Sequence, residues 1–339
     1  MNGSPLELSR DQILAFRRRA TSLDERLPRG ARSLRRAAYA GLTDSSPRAA
    51  LLSIHARVEG ARPSSWEDPA LVQVWGPRHS TYVVPARDRA IFTVGRSPED
   101  DAGRRRAEDM AARLHAFLAG RRLPDNAAQR ELGVGNALKY AATTGTVLIR
   151  WEGARAPLVW TVPRPEIDPL EARRGLARRY LHVFGPATAH GFSIWAGVKK
   201  AEARATFDAL RRSLAAVRTP IGDAWILARD EAAFRATPGP TAPARLLPSG
   251  DAYYLLQGAD RELLVPDAAR RAALWTSRVW PGAVLVAGEV AGTWRRAQAK
   301  LEIEPWRRFS RAEHAAVEAE AQSLPLPAVE GQMLVRWER

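Results

Sequence analysis

ARRYLHVFGPATAHGFSIWAGVKKAEARATFDALRRSLAAVRTPIGDAWILA, residues 177–228, is the stretch that decides the predicted fold. A short apolar helix over 178–184 is predicted to stop at the breaker pair Gly185-Pro186. A second helix is predicted over 189–196, with Thr188 as its N-terminal cap. With a third helix and a hairpin after them, these elements indicate a winged helix, which places its third helix in the DNA major groove.

The third helix is predicted from about Lys199 to Ala216, before two β-like pieces around the turn composition at 219–223. Its apolar stripe follows the spacing of one helical face and consists of Ala203, Phe207, Leu210 and Leu214. Cations beside this stripe, where phosphates could reach them, are Lys199, Lys200, Arg204, Arg211 and Arg212. The alternative is that they are solvated charges on an ordinary helix.

The same order of elements is predicted twice more, which gives an α+β fold of three tandem winged-helix units and a C-terminal β-barrel-like domain. The predicted bounds are 1–90 for the first unit, 91–165 for the second, 166–236 for the third and 245–339 for the β-rich domain. A Pro- and Gly-rich segment, 237–250, marks the boundary before that domain. Its first predicted strands are AYYLLQ (252–257) and RELLVP (261–266).

The charge balance points to a polyanion as partner. The 339 residues include 52 Lys and Arg against 37 Asp and Glu, for a net charge of +15. An Arg-rich composition also follows from a GC-rich genome, so this signal has an alternative. The chain has no cysteine, which excludes disulfides and iron–sulfur clusters, and its six histidines lack metal-site spacing. The sequence shows no stretch of 18 apolar residues, so we expect a soluble cytoplasmic protein.

Local signals mark two helix starts and two charge runs. Ser9 and Gln12 form a capping-box pattern, and Ser46 with Pro47 is typical of an N-cap followed by the first helical residue. The runs Arg17-Arg18-Arg19 and Arg104-Arg105-Arg106 are predicted to lie on solvent-exposed helix faces.

Several stretches together resemble the AlkZ/YcaQ-type winged-helix DNA glycosylases. They are LTDSSPRAALLSIHARV (42–58), VWGPRHSTYVVPARD (74–88), RRYLHVFGPATAHGFSIWAG (178–197), LLPSGDAYYLL (246–256) and VAGTWRR (290–296). The resemblance covers nearly the whole chain and implies a concave, basic DNA-binding surface. Active members of the family excise alkylated bases, some of them bulky or crosslinked.

The catalytic triplet of that family is altered here. Active members carry Gln-x-Gln or Gln-x-Asp at this place, whereas the matching positions read Thr43-Asp44-Ser45. Asp44 could position water and steady an oxocarbenium-like sugar if its side chain faced the DNA. Alternatively, Asp44, Ser45 and Ser46 cap the helix that begins at Pro47, and this is the interpretation we favour.

Other candidates lie outside the triplet. Arg78 and His79 precede a strand and are candidates for contact with phosphate or an opened base pair. Asp251 is a second candidate for a catalytic carboxylate. The alternative is that it has only the structural role of closing the turn at PSGD. Arg295 and Arg296 are predicted to contact backbone phosphate, with Trp294 beside them in the core.

Two classes of function remain open from the sequence. The first is a DNA-repair glycosylase or a lapsed glycosylase that recognises damage, and the second is a non-enzymatic transcription regulator. An RNA-binding protein is a weaker third reading, because no RNP or KH signature occurs. We expect a monomer that binds double-stranded DNA, either damaged or undamaged, in the nucleoid, with no cofactor, no metal and no membrane partner.

Overall fold

Helices and short strands alternate through the chain in the computed structural model, which describes residues 5–153, 155–237, 239, 242–326 and 332–338. The helices are α1 Arg10–Ala20, α2 Ala31–Ala37, α3 Ala49–Arg57, α4 Arg89–Thr93, α5 Asp101–Leu118, α6 Asp125–Leu132, α7 Pro169–Phe184, α8 Ala189–Ala196, α9 Lys200–Ala209, α10 Glu231–Arg235, α11 Asp260–Leu264, α12 Ala268–Leu274 and α13 Arg311–Gln322. The strands are β1 Leu6–Glu7, β2 Leu42–Thr43, β3 Leu71–Trp75, β4 Thr81–Pro85, β5 Leu123–Pro124, β6 Val147–Arg150, β7 Leu158–Thr161, β8 Leu214–Thr219, β9 Gly222–Leu227, β10 Arg245–Leu247, β11 Gly282–Val286, β12 Glu289–Ala297, β13 Lys300–Pro305 and β14 Leu334–Trp337.

These strands form three sheets. The six-stranded sheet has the order β2-β4-β3-β6-β7-β5 and is antiparallel throughout. A three-stranded sheet, β1-β8-β9, pairs the N-terminal strand in parallel with β8. The C-terminal sheet has the order β10-β11-β12-β13-β14, and only its β13–β14 pair is parallel.

The predicted C-terminal barrel is wrong, because the five-stranded sheet is open. Among the described residues, β10 pairs only with β11 and β14 only with β13, so the sheet keeps two edges. Both of its first predicted strands are also wrong. Residues 252–254 form turns, and 261–264 belong to helix α11. Short apolar runs fit a strand and a buried turn or helix equally well, so periodicity alone did not separate them.

The segment that decided the predicted fold has the expected order of three helices and a hairpin. Thr188 caps α8 through a hydrogen bond from the Gly191 N–H, as predicted. The first helix is longer than predicted, because the Asp168 carboxylate caps it and Pro169 occupies its first turn. The prediction that the third helix reaches Ala216 is wrong.

The third helix, α9, ends at Ala209 because the chain turns there and enters a strand. Leu214 pairs with Leu227 at the start of the β8–β9 hairpin, so its place on the helical stripe was a coincidence of spacing. Ala203, Phe207 and Leu210 are buried as the stripe predicted.

Helix α1 has the capping box predicted from Ser9 and Gln12. The prediction that 17–19 forms a solvent-exposed face is wrong for Arg17, which is buried. Its guanidinium donates to the carbonyl oxygens of Phe184 and Gly185 and forms an ion pair with Asp260 at 3.2 Å. By contrast, Arg104, Arg105 and Arg106 are exposed on α5 as predicted.

The six-stranded sheet draws on both of the first two predicted ranges. Strands β2, β3 and β4 come from 1–90, whereas β5, β6 and β7 come from 91–165. The two groups meet where Gln73 of β3 pairs with Ile149 of β6. This junction lies beside the triplet and attaches the β6–β7 hairpin to it. Across the described residues, each helix is too short or too polar to traverse a bilayer.

Candidate functional site

Strand pairing brings two of the predicted groups together. Strand β2 carries Thr43 and pairs with β4, with Thr43 opposite Tyr82. The Asp44 N–H extends this ladder by donating to the Thr81 carbonyl at 2.8 Å. Because β4 directly follows the loop that holds Arg78 and His79, the triplet and this loop lie at the same end of the six-stranded sheet.

The Asp44 carboxylate is buried, with 2% of the residue exposed, and both of its oxygens accept hydrogen bonds. Oδ1 accepts from the Ala50 N–H at 3.0 Å, and Oδ2 accepts from Gln73 Nε2 at 2.6 Å. Burial raises the pKa of Asp44 to about 6, against the opposing effects of these hydrogen bonds and of Arg48. Asp44 therefore satisfies an N-terminal N–H of α3, as a helix cap does.

Helix α3, whose N-terminus is hydrogen-bonded to Asp44, begins two residues later than predicted. The prediction of Ser46 as cap and Pro47 as first helical residue is wrong, since α3 starts at Ala49. Arg48 precedes it with a left-handed φ of 65° and makes no side-chain cap. The turn at Pro47 and Arg48 moves the helix start away from the hydroxyl of Ser46 and within reach of the Asp44 carboxylate.

Gln73 is the residue at this site that sequence reasoning missed. It is buried in β3, where its Oε1 accepts from the Trp151 N–H at 2.7 Å while its Nε2 serves Asp44. Gln73 thereby ties the β6–β7 hairpin to the triplet. The hairpin turn also touches the start of α3, because a Cβ on Gly153 would lie 3.0 Å from Pro47 Cβ. The available signal was a single amide inside the apolar run LVQVW.

The two hydroxyls of the triplet have different surroundings. Thr43 is buried and its Oγ1 donates to the Gly250 carbonyl at 2.7 Å. Gly250 has a φ of 73°, and a Cβ there would lie 3.0 Å from Thr43 Oγ1, so glycine permits this close approach. Ser45 is exposed. Within the triplet, only Ser45 thus presents a polar side chain to solvent.

Asp251, the second carboxylate considered, is fully buried in an ion pair. Its two oxygens each lie 2.7 Å from a terminal nitrogen of Arg57. Ser53 Oγ donates to it at 2.6 Å, and the Tyr253 N–H does so at 2.9 Å. The Asp251 N–H closes the PSGD turn by donating to the Pro248 carbonyl at 3.0 Å, and the carboxylate fastens that turn to α3 through Arg57 and Ser53.

Arg78 and His79 form a tight loop with left-handed φ values of 54° and 57°. Gly197 packs directly on the backbone of this loop, since a Cβ there would lie 3.1 Å from the Arg78 N and Cα atoms. The Arg78 side chain is exposed. Burial and, to a lesser extent, the charge of Arg78 lower the pKa of Arg261, so cations of α11 and of this loop repel each other.

The His79 ring is neutral at pH 7, because burial and the nearby charge of Arg96 lower its pKa to about 4. Its edge meets the ring of Tyr140, with centroids 5.1 Å apart and an angle of 80° between the rings. The Nδ1 atom is buried and has no hydrogen-bond partner among the described residues.

Cations predicted on the third helix are exposed but differ in their partners. Lys199 forms an ion pair with Asp100 at 2.8 Å. Lys200 and Arg204 lie on the exposed face of α9, and neither has an ion-pair partner within the described part of the chain. Arg211 lies beyond the end of α9, with its guanidinium 4.1 Å from the ring centroid of Trp225.

The cations of the C-terminal sheet lie on β12. Arg295 is exposed, whereas Arg296 is half-buried and donates to the Gln298 carbonyl at 2.7 Å. Trp294 is in the core as predicted, and its Nε1 donates to the Leu247 carbonyl at 2.9 Å. No cluster of three or more His, Cys, Asp or Glu side chains that could hold a metal occurs in the part of the chain that the structure describes.

Comparison with known families assigns the chain. Residues 34–325 match the family described as DNA glycosylase AlkZ-like. The chain belongs to the AlkZ-like DNA glycosylase family. This membership confirms the resemblance drawn from the sequence.

The chain matches Streptomyces sahachiroi glycosylases both by sequence and by structure. The interstrand DNA cross-link repair glycosylase is 30% identical over 204 residues, which span 56% of this chain and 53% of the relative. The match therefore covers about half the length of that relative. The solved structure of the DNA glycosylase AlkZ superposes with a TM-score of 0.79 and 20% identity, over 98% of this chain and 100% of that one. The superposition shows that the two proteins share a mixed α+β fold.

Proposed function

We propose that this protein binds duplex DNA, with 169–227 acting as a winged helix, and that it excises simple N3- or N7-alkylpurines at little or no rate. The units over 1–90 and 91–165 are proposed as the other two winged helices. The single observation that supports the second part is the enclosure of Asp44. The arrangement of exposed cations supports the first.

Cleavage of an N-glycosidic bond requires a polar group that holds water near the sugar carbon and stabilises positive charge there. Asp44 has both oxygens committed to Ala50 and Gln73, inside the protein. To reach a sugar it would have to leave both donors. Ser45 is exposed but offers a short, neutral hydroxyl, which stabilises an oxocarbenium-like sugar weakly.

Binding of DNA is supported by charge that the protein leaves uncompensated. Lys200 and Arg204 project from the same helix, α9, one turn apart. The charge of Arg78 contributes to the lowered pKa of Arg261, and a phosphate between the two side chains would relieve that repulsion. Together with the net charge of +15, these groups favour a polyanion as ligand.

The family and its named relative support a proposal for the class of DNA. That relative repairs interstrand cross-links, so we propose duplex carrying a cross-link or bulky adduct as the preferred ligand. Such lesions already distort the helix, which lowers the cost of opening it. A protein without an exposed catalytic carboxylate could still recognise that distortion.

Fluorescence anisotropy with labelled duplex, undamaged or cross-linked, tests this proposal over a series of salt concentrations. We expect log K to fall linearly with log salt, by about 0.9 per phosphate neutralised, and the cross-linked duplex to bind more tightly. Undetectable binding at low salt, or affinity that is flat with salt, would refute DNA binding. Tight preference for one undamaged sequence would instead favour a transcription regulator.

A further inference from the structure

A pocket of about 310 Å³ opens beside the Arg78–His79 loop. It lies between that loop, the first turns of α5, the 3-10 segment Gly135–Thr144 and the connection from α8 to α9. We refer to it as the Arg96 pocket, and the lining residues that matter here are His79, Arg96, Arg106, Tyr140, Lys199 and Glu202. Two of them carry polar groups that the protein itself does not satisfy.

Arg96 is the first, with 4% of the residue exposed. Its Nε donates to the Ala196 carbonyl at 3.0 Å, and Nη1 donates to the Trp75 carbonyl at 3.2 Å. Among the described residues it has no carboxylate within 4.0 Å and no hydrogen-bond acceptor for Nη2. Burial lowers the pKa of Arg96 to about 10, opposed only by the Tyr82 phenol.

Within the part of the chain that the structure describes, Arg96 lacks the carboxylate partner that is found at three of the four other buried arginines. In the described residues these are Arg17, Arg57, Arg173 and Arg245. The first three form ion pairs with Asp260, Asp251 and Glu99 respectively. Arg245 resembles Arg96, because among the described residues it has no carboxylate within 4.0 Å, its buried Nε has no hydrogen-bond partner, and burial likewise lowers its pKa to about 10. Unlike Arg96, it does not line this pocket. A buried guanidinium without a nearby carboxylate is costly, and an anion entering the pocket would offset that cost.

His79 is the second unsatisfied group, since its buried Nδ1 has no partner in the described residues. Tyr140, which meets the His79 ring, is 43% exposed and leaves part of its ring uncovered at the pocket. A guanidinium, an imidazole nitrogen and an uncovered aromatic ring are groups that contact the phosphate and base of a nucleotide.

The carboxylates at the pocket are already engaged. Asp100 accepts from Lys199 Nζ at 2.8 Å and from the Gly103 N–H at 2.7 Å. Glu202 accepts from the backbone N–H groups of Lys199 and Glu99, at 3.0 and 3.1 Å. Arg106 is exposed at the rim and Arg96 lies inside, so the charge left unmatched in the pocket is positive.

We propose that the Arg96 pocket binds a phosphate group of a DNA strand, with Arg96 as the buried anchor and His79 as a second hydrogen-bonding group. This inference rests on the proposed DNA binding. The phosphate could be an internal one of a continuous strand or the terminal one of a broken strand. Both present the same chemistry to the guanidinium.

Thermal unfolding with inorganic phosphate tests the site without DNA. At matched ionic strength, replacing chloride with phosphate should raise Tm of the wild type by about 2 °C or more, beyond the general stabilisation by an excluded salt. Arg96→Met should show only the rise in Tm that comes from general stabilisation by the salt. Arg245→Met is the matched control, because it removes another buried arginine outside the pocket, and it should keep the full shift. If Arg96→Met fails to fold, His79→Phe replaces it and should lose most of the specific shift.

DNA binding then identifies the source of the phosphate. If the pocket binds an internal phosphate, Arg96→Met should lower the salt slope by about 0.9 and the affinity for continuous duplex about tenfold. Arg245→Met should change neither. A loss seen only for 5′-phosphorylated ends would assign the pocket to a terminal phosphate. A phosphate effect on Tm that is identical in wild type and Arg96→Met would overturn the site. A specific Tm shift with unchanged DNA binding would overturn its assignment to DNA. The Tm measurement remains decisive even if the wild type binds no DNA.

Discussion

The triplet at 43–45 and the Arg96 pocket lie near the same end of one sheet, yet they satisfy their polar groups in opposite ways. Asp44 and Thr43 each find a partner inside the protein, in Gln73, Ala50 and Gly250. Arg96 and His79 are left partly unsatisfied beside open space. Groups that are satisfied internally serve the fold, whereas groups left unsatisfied at a cavity are the ones available to a ligand.

The largest expected loss of stability comes from breaking the ion pair between Asp251 and Arg57, beside the enclosed triplet. Asp251→Ala leaves Arg57 buried without its carboxylate, and should lower the free energy of unfolding by about 3–5 kcal/mol in urea denaturation. Asp223→Ala, which removes an exposed ion pair with Arg218, is the control and should change it by less than about 1 kcal/mol. Similar losses in both would mean that Asp251 does not anchor the PSGD turn.

A smaller effect is expected from the charge of Asp44 itself. The folded-state pKa of Asp44 is raised to about 6, so protonation of this carboxyl stabilises the folded protein. That stabilisation is fully present below the unfolded pKa and is lost as pH rises through 6. Relative to Asp44→Asn, the wild type should therefore lose about 2.4 kcal/mol of unfolding free energy between pH 4 and pH 7.5. Urea denaturation of both proteins at the two pH values measures this. If the difference in unfolding free energy between wild type and Asp44→Asn is the same at both pH values, Asp44 is solvated and accessible.

Removing the exposed cations of α9 should weaken DNA binding and leave the stability of the protein unchanged. Lys200→Ala/Arg204→Ala should lower affinity for duplex about fivefold and the salt slope by about 1.8, as for two phosphate contacts. Arg211 is left out because it packs on Trp225. The control Arg311→Ala/Arg336→Ala removes the same charge from exposed positions of α13 and β14. Equal losses in both pairs would reduce the role of α9 to net charge alone.

The smallest expected stability change is at Arg78. Its exposed side chain faces the like charge of Arg261, so Arg78→Ala should change the free energy of unfolding by less than about 0.5 kcal/mol while DNA affinity falls. Thermal unfolding and anisotropy on the same preparation measure both. A destabilisation comparable to that of Asp251→Ala would place Arg78 among the structural residues instead.

Sequence patterns predicted the local elements well where turns and caps were explicit. The hairpin around the turn at 219–223, the Thr188 cap and the Ser9 capping box are confirmed. They depend on neighbours within a few residues, so the local sequence is sufficient. The family resemblance, which drew on five separated stretches, is also confirmed.

The residues that distinguish the two regions could not be predicted in this way. Gln73 and Asp44 are 29 positions apart, and Arg96 meets carbonyls 21 and 100 positions away. An arginine pattern looks the same whether its guanidinium is solvated, as at Arg104, or buried, as at Arg17. Tertiary contacts alone decide which polar groups are satisfied, and so which remain for a ligand.

Release of free 7-methylguanine from duplex DNA, followed by chromatography with protein in excess, tests most directly whether the enclosed triplet has lost its chemistry. Wild type, Asp44→Asn and Ser45→Ala should each release no more base than a protein-free control, while the same preparations bind duplex. Robust release by the wild type that disappears in Asp44→Asn would contradict this and show that Asp44 leaves its partners to act on the sugar.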